Sequence, residues 1–493
     1  MTQSFPLEVV CSRWAADDAG TLDVDNPATG QVFARVQASD AGRVTAAIEA
    51  ASAAQRTWAR RTPRERGQHL RAVAAKIREH ADEIAALECQ EMGKPVSQAR
   101  ALDLEVCISV FEFFGGAVEA MPHYLRDQGF VLDMTVLEPY GVIGAIIPFN
   151  WPPIHTAGKV APAIAAGNAI VIKPPEQAPL TVLRLAEIIS EVLPDDIVHV
   201  VPGGPEVGAV LSSHPLIGKL SFTGSPTTGM AVLRSAADNL VPALMELGGK
   251  NGLIVFDDAD VDAAVAAAVE GGFFNQGEAC SASSRIIVHR SHYDEVVKRL
   301  GVATARLKVG DGADPATHVG PLVSAAQQRK VLDYIELGLA EGARLVSQAP
   351  LPDDPALAGG YFVPPTLFAD VTPTMRIASE EIFGPVVAVM AFDDEQEAVA
   401  IANNTDYGLM AAVFSEDSRR ALRVSRALRA GIVFVNNYNR MVTGLPFGGV
   451  GHSGFGREHA LQTLAEYGYS KSIRIPSGLA PVPTWDALAD VLD

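Results

Sequence analysis

Phe222-Thr223-Gly224-Ser225-Pro226-Thr227-Thr228-Gly229 runs from a β-rich segment through a Gly-Ser turn into a helix that opens near Pro226. Neighbouring stretches repeat that order. Residues 142–147, 168–173, 197–201 and 220–223 are short and rich in β-branched or apolar side chains, and helical patterns lie between them, notably 180–193 and 205–213. Such alternation predicts a parallel sheet with helices on its faces and a ligand beyond the C-terminal ends of its strands. Lys173-Pro174-Pro175-Glu176 stands at one such end and the Gly-Ser turn at another. The helix after that turn presents free N–H groups and a positive dipole end, which suits a phosphate. The turn lacks the Gly-x-Gly-x-x-Gly fingerprint, and Gly203-Gly204-Pro205-Glu206-Val207-Gly208 matches it only in part. An ordinary structural turn is the plainer reading of either stretch.

Downstream, Leu247-Gly248-Gly249-Lys250-Asn251 leads into a further strand at 253–256 and a second α/β unit. That unit carries Cys280, a strand at 286–289 and a helix at 327–339, and the alanine-rich stretch 263–269 reads as a buried helix. Glu380-Glu381-Ile382-Phe383-Gly384-Pro385-Val386 forms a turn before an apolar strand. Near the end, five glycines fall within 448–456, which excludes a helix interior and requires a tight loop whose backbone approaches something closely.

Upstream, residues 22–36 alternate around Asn26-Pro27-Ala28-Thr29-Gly30 as a hairpin. A first helix follows Ser39-Asp40, with Val44, Ala47, Ile48 and Ala51 on one face. Thr62-Pro63-Arg64-Glu65 opens a second with a capping box, and Leu70, Val73, Ile77, Ala81 and Ile84 make its stripe. A third covers 97–118.

A chain of 493 residues exceeds a single core, so two or three domains are expected. The net charge of −19 disfavours nonspecific binding to nucleic acid or an anionic membrane. Cys11, Cys89, Cys107 and Cys280 show neither CxxC nor zinc-ligand spacing, so no metal site is expected and the thiols read as free, which suits the cytoplasm. The opening residues Met1 to Pro6 lack the basic and apolar regions of a secretory signal, and the apolar runs are too short or too broken to span a bilayer.

Within Phe274-Asn275-Gln276-Gly277-Glu278-Ala279-Cys280-Ser281-Ala282-Ser283-Ser284-Arg285 a single cysteine sits among small and polar neighbours. They leave a thiol open to a substrate and let backbone N–H groups point at it. The bland alternative is a small buried apolar residue.

Taken together, Pro148-Phe149-Asn150-Trp151-Pro152, Lys173-Pro174-Pro175-Glu176, Phe222-Thr223-Gly224-Ser225, Glu246-Leu247-Gly248-Gly249-Lys250-Asn251, the Cys280 stretch, Glu381-Ile382-Phe383-Gly384-Pro385 and the 446–458 loop resemble the aldehyde dehydrogenase superfamily, in its order and approximate spacing. The resemblance runs from about residue 22 to about 475. It implies NAD(P)-dependent oxidation of a small-molecule aldehyde to the acid. The implied fold is α/β: a Rossmann-like NAD-binding domain of 1–120 and 140–247, a second α/β catalytic domain of 248–452, and a small β flap of 121–139 and 468–478 for assembly as a homodimer or homotetramer.

By the same resemblance, the Cys280 thiolate adds to the aldehyde, the resulting alkoxide expels hydride to the nicotinamide, and a thioester remains. Asn150 and the Cys280 N–H serve the oxyanion, and Glu246 is the general base for thiol or water. Lys159 and Glu458 match a proton relay, or equally a structural ion pair. Lys173 and Glu176, beside Pro175, hold the adenosine ribose; Glu176 favours NAD, while Lys173 leaves room for NADP. Ser225 and Thr228 face the pyrophosphate, with Phe222, Thr223 and Gly224 before them. Ile146, Ile147, Pro148, Phe149, Gly204 and Gly208 line the same cofactor, as do Leu247 and Gly248. Glu381 binds the nicotinamide ribose, with Phe383 packed nearby. Trp151, His155, Gly158, Ser281 and Phe447 belong to the substrate pocket.

Three positions depart from the family pattern. Glu278 replaces the usual Gln and should point away from the thiol, whose pKa it would otherwise raise. Gly451 stands where many members carry Lys. Gly158 replaces a bulky aromatic, which suggests a roomier wall suited to a bulky or aromatic aldehyde. Arg440 is the residue to check for a substrate carboxylate. Two other chemistries compete: CoA acylation, which Glu246 argues against, and a cofactor-independent thiol hydrolase, which needs a His partner that the matching motifs lack.

Overall fold

Turn chemistry and short buried runs set the order of elements. The computed structural model describes residues 9–10, 20–438, 442–485 and 491, so Arg440 lies outside the described residues. The hairpin pairs β1 (Thr21–Asn26) with β2 (Gln31–Gln37) in antiparallel register. Helices Ala41–Trp58 and Pro63–Glu79 follow, the second with its capping box formed by Thr62 and Glu65. The apolar stripe read as one helix is broken at His80, and Ala81 and Ile84 belong to a separate helix, Ala81–Met92. Both helices still feed one core, through Ile77 and Ile84, which is why the period continued across the break. The helix expected over 97–118 is in three pieces, with a π-helical turn at Ala99–Asp103 before Leu104–Ala117.

Next come β3 (Tyr124–Asp127) and β4 (Val131–Pro139), then β5 (Val142–Ile146), β6 (Ala169–Lys173), β7 (Val198–Val200), β8 (Ile217–Thr223) and β9 (Ala243–Glu246). The last five form a parallel sheet. Apolar residues on both faces of β6 are buried, as a parallel sheet covered on two sides requires. Helix Pro152–Ala165 is buried along its whole length.

A second sheet follows from β10 (Gly252–Val255), β11 (Arg285–His289), β12 (Arg344–Gln348), β13 (Thr366–Ala369), β14 (Val386–Phe392), β15 (Met410–Phe414) and β16 (Ile432–Val435). Its order is β12-β13-β14-β11-β10-β15-β16, parallel except for β12. The alanine-rich helix, Val261–Phe273, is only half-buried, with Ala264, Val265 and Ala268 inward.

The chain then crosses back. β17 (Gly454–Phe455) adds antiparallel to β9, making the first sheet β17-β9-β8-β5-β6-β7. A boundary at 452 therefore does not end contact with the first sheet. β18 (Gly468–Pro476) joins β4 and β3 in an exposed three-stranded flap. Among the described residues no helix is long and apolar enough to cross a membrane.

Candidate active site

In the first sheet β5 lies between β6 and β8, so the direction of winding reverses there and a crevice opens beyond the two strand ends. Pro148, Phe149 and Asn150 follow β5; Thr223, Gly224 and Ser225 end and follow β8. The second sheet meets this crevice with residues that precede its strands: Gly248 before β10, Cys280 before β11, Glu381 and Phe383 before β14. With Leu247, Gln327 and Lys330 they line one cavity of about 190 Å³. The strand-end rule thus holds for the first sheet and inverts for the second. Gln327 and Lys330 went unread in the sequence, because polar residues on an amphipathic helix carry no motif.

Cys280 is half-buried in this cavity. Asn275, Gln276 and Gly277 in succession take positive φ (53, 54 and 68), which turns the chain sharply out of helix Val261–Phe273. Side-chain bonds offset that strain: Asn275 Nδ2 donates to the carbonyls of Asn150 (3.0 Å) and Glu278 (2.9 Å). Burial, then Glu381 and Glu246, push the thiol pKa above its ordinary value, so a base is needed to form the thiolate. Glu278 is fully buried, and its carboxyl accepts from Val323 N–H at 3.2 Å. Burial raises its pKa well above the usual carboxylate range.

Asn150 is held on all sides. Its Nδ2 donates to the Glu278 carbonyl at 3.0 Å, and its Oδ1 meets His155 Nε2 at 3.2 Å. Its own carbonyl accepts from Lys94 Nζ at 3.2 Å. Lys94 is fully buried and also bonds Glu88 (2.7 Å) and Asp103. Sequence reading missed this lysine, whose only signal was its place in a Met-Gly-Lys-Pro turn.

Glu246 closes β9, with both carboxylate oxygens buried and without a hydrogen-bond partner. Gly448 permits the close approach of the Gly-rich loop: its φ is +151, and a Cβ there would stand 2.6 Å from Glu246 Oε1. Burial, then Glu458, raises the Glu246 pKa well above the carboxylate range, opposed by Lys159 and Arg457. Lys159 Nζ donates to Glu458 Oε1 (2.8 Å) and Ser221 Oγ (3.1 Å). The structure thus gathers Glu246, Lys159 and Glu458 in one buried charge cluster behind the cavity.

At the far rim, Lys173 Nζ and Glu176 Oε1 pair at 2.5 Å beside the buried Pro175. Ser225 caps helix Pro226–Ala237, accepting from Thr228 N–H at 3.3 Å. Glu381 Oε1 accepts from Gly249 N–H at 2.8 Å, and Phe383 meets Phe149 edge-on at 5.9 Å. Ile147 is buried, donating its N–H to the Lys173 carbonyl at 3.3 Å. Gly204 starts helix Pro205–Ser213, and a Cβ on Gly208 would meet Ile146 Cδ1 at 3.7 Å. The Phe222 ring is buried in the core and lies under Gly224, where a Cβ would meet Cζ at 2.7 Å.

On the other side of Cys280, Trp151 is buried with Nε1 unpartnered, and Ser281 is buried while its carbonyl accepts from Tyr438 Oη at 2.7 Å. The roomier wall expected at Gly158 is not there. A Cβ on Gly158 would meet His459 Cε1 at 3.0 Å, so that imidazole fills the space. His459 itself has φ +64 and packs edge-on to Phe447 at 5.8 Å. Gly451, at φ +62, faces the Asp406 carbonyl and not the thiol.

Two α/β sheets whose loops share a cysteine-bearing crevice agree with sequence comparison. The sequence model of the aldehyde dehydrogenase family matches residues 14–473, and the chain belongs to that family. It is 48% identical over 488 residues to aldehyde dehydrogenase citD of Monascus ruber, covering 98% of this chain and 97% of that one. It is 44% identical over 472 residues to the betaine aldehyde dehydrogenase of Mesorhizobium japonicum, covering 95% and 97%. The crystal structure of Staphylococcus aureus betaine aldehyde dehydrogenase in complex with NAD+ superposes with TM-score 0.90 at 37% identity, covering 93% of this chain and 92% of that chain.

Proposed function

We propose that the protein oxidises an aldehyde to its carboxylic acid with NAD, through covalent chemistry at Cys280. The observation that carries the reading is convergence: Cys280, Asn150, Ser225 and Glu381 line a single cavity, and the unpaired Glu246 carboxyl acts electrostatically on the thiol.

The residues present fit a dinucleotide. The N-terminus of helix Pro226–Ala237 suits a pyrophosphate: it presents the positive end of the helix dipole, and the Thr227 N–H has no partner within the helix. Glu176 and Glu381 supply carboxylates for two riboses, and the NAD+ of the similar S. aureus structure supports the choice. When bound, the nicotinamide accepts the hydride that aldehyde oxidation releases.

The protein's own groups do the rest. Glu246, or water held by it, takes the Cys280 proton, and the thiolate attacks the carbonyl carbon. The new alkoxide accepts hydrogen bonds from the free Asn150 amide N–H and from the Cys280 backbone N–H. After oxidation a thioester joins the acyl group to Sγ. Glu246, once it has released the thiol proton, takes a proton from water, the hydroxide adds to the acyl carbon, and the C–S bond breaks to give the acid and a thiolate that recovers this second proton. Lys159 and Glu458 pass the proton outward. Glu246 favours water over CoA as acyl acceptor. The domain roles and assembly through the exposed flap belong to the same proposal.

The test is absorbance at 340 nm over an aldehyde panel with NAD and NADP side by side. Cys280→Ala should abolish turnover; undiminished oxidation by that variant refutes the reading, and strict CoA dependence of product formation transfers it to the acylating class.

A further inference from the structure

We propose that His155 is a positioning residue that locks the Asn150 amide in the orientation able to donate to the oxyanion; the inference rests on the oxyanion role of Asn150 proposed above. The polarity of the contacts decides the argument. The Glu278 carbonyl, 3.0 Å away, accepts only, so the atom of Asn150 facing it must be the NH₂ group. Oδ1 therefore faces His155 Nε2 at 3.2 Å, and that nitrogen must carry the hydrogen. The amide is thus gripped at both ends by groups of opposite polarity. One of its two N–H bonds is spent on Glu278, and the second is left for the substrate oxygen.

The grip is built from the helix start. Asn150 lies two residues before the start of helix Pro152–Ala165, and His155 lies in its first turn with its N–H bonded to the Trp151 carbonyl at 3.0 Å. Pro152 and Pro153 fix φ on the way into that turn. His155 is buried, its ring tilted against Trp151 at 6.4 Å. Burial, then Lys159, His459 and Lys94, hold its pKa well below the ordinary histidine value, so it stays neutral and its charge does not titrate with the thiol. The Asn150 carbonyl is fixed separately by Lys94 and Asn275, so the loss of His155 releases the Oδ1 end of the amide, which then hangs on the Glu278 bond alone while its backbone stays anchored.

The experiment is a double-mutant cycle on initial rates of NADH formation, with His155→Met, His155→Gln, His155→Asn and Asn150→Ala. An imprecisely held oxyanion donor costs part of the factor of about 10² to 10³ that deleting one costs. His155→Met should lower kcat about tenfold with aldehyde KM changed less than about twofold, since only the transition state uses the donor. His155→Gln, whose amide nitrogen reaches the place of Nε2, should restore the rate, and His155→Asn, too short to reach, should not. In the Asn150→Ala background, His155→Met should cost nothing further. A normal rate for His155→Met beside a crippled Asn150→Ala overturns the inference alone, as does a His155 effect that persists without Asn150. A normal rate for Asn150→Ala overturns the oxyanion reading itself. If His155→Met does not fold, the contrast between His155→Gln and His155→Asn decides: equal rates overturn the inference.

Discussion

Lys159 Nζ lies 2.8 Å from Glu458 Oε1, and neither side chain reaches solvent. The pair acts on Glu246 with opposite signs: Glu458 raises its pKa and Lys159 lowers it. The acid limb of the kcat profile for acid formation follows the loss of the Glu246 proton. Lys159→Met removes the lowering charge and should move that limb to higher pH. Glu458→Gln removes the raising charge and should move it to lower pH. Stopped-flow rates across a pH series check both signs.

Removing the base should separate the two halves of the reaction. Glu246→Gln should give one rapid equivalent of NADH if water serves the thiol, followed by turnover slowed about 10² to 10⁴-fold at thioester hydrolysis. Mass spectrometry of the quenched enzyme should find the acyl group on Cys280.

Gly448 tests how closely the loop must approach. A Cβ there would stand 2.6 Å from Glu246 Oε1 and 2.7 Å from the Gly456 carbonyl, at φ +151. Gly448→Ala should therefore lower kcat more than about tenfold, and a destabilisation on the order of 1–3 kcal/mol from the backbone strain should accompany it. Calorimetry and initial rates read the two effects independently.

Cofactor choice should depend on the Lys173–Glu176 pair, held at 2.5 Å. Glu176→Gln removes the negative charge that repels a 2′-phosphate and frees Lys173. The ratio of kcat/KM for NADP to that for NAD should rise about tenfold or more.

Lys250 is fully buried with Nζ unpartnered, and burial lowers its pKa from 10.5 to about 7. Below pH 7 the folded protein carries the full cost of the buried charge. Between 7 and 10.5 the unfolded chain binds more protons than the folded one, so this group makes stability rise with pH across that window. Lys250→Met should be more stable than the parent at pH 6, with the gain shrinking as pH rises toward 10. Denaturant titrations at several pH values measure the difference.

The first sheet could be read because β5 and β6 are short apolar runs bounded by Gly, Pro or Asn and β8 leads into a Gly-Ser turn, and the cap at Thr62 is a local signal. The break at His80 was hidden because burial of Ile77 and Ile84 in one core preserves the stripe on both sides. β17 has two residues, too few for any period, and forms only because β9 offers it an edge. Cys280, Asn150 and Glu246 stand in motifs, whereas Lys94 and Lys330 reach the site through tertiary placement alone. Gly158 shows the limit of reading one position: its vacancy is filled by His459, 301 residues later in the chain, counted from the two numbers.

The late return of the backbone to the first sheet has a bearing on biogenesis. A nascent polypeptide that has emerged only through β16 already owns Cys280, Asn150 and the strand β9 that ends in Glu246, yet it lacks Gly448, which approaches that carboxyl, and Glu458, which acts on it electrostatically. Under the proposed mechanism, catalytic competence would therefore arrive only once the chain has returned to the first sheet, and a product terminated at β16 would carry a reactive sulfur with no means of releasing what it captures.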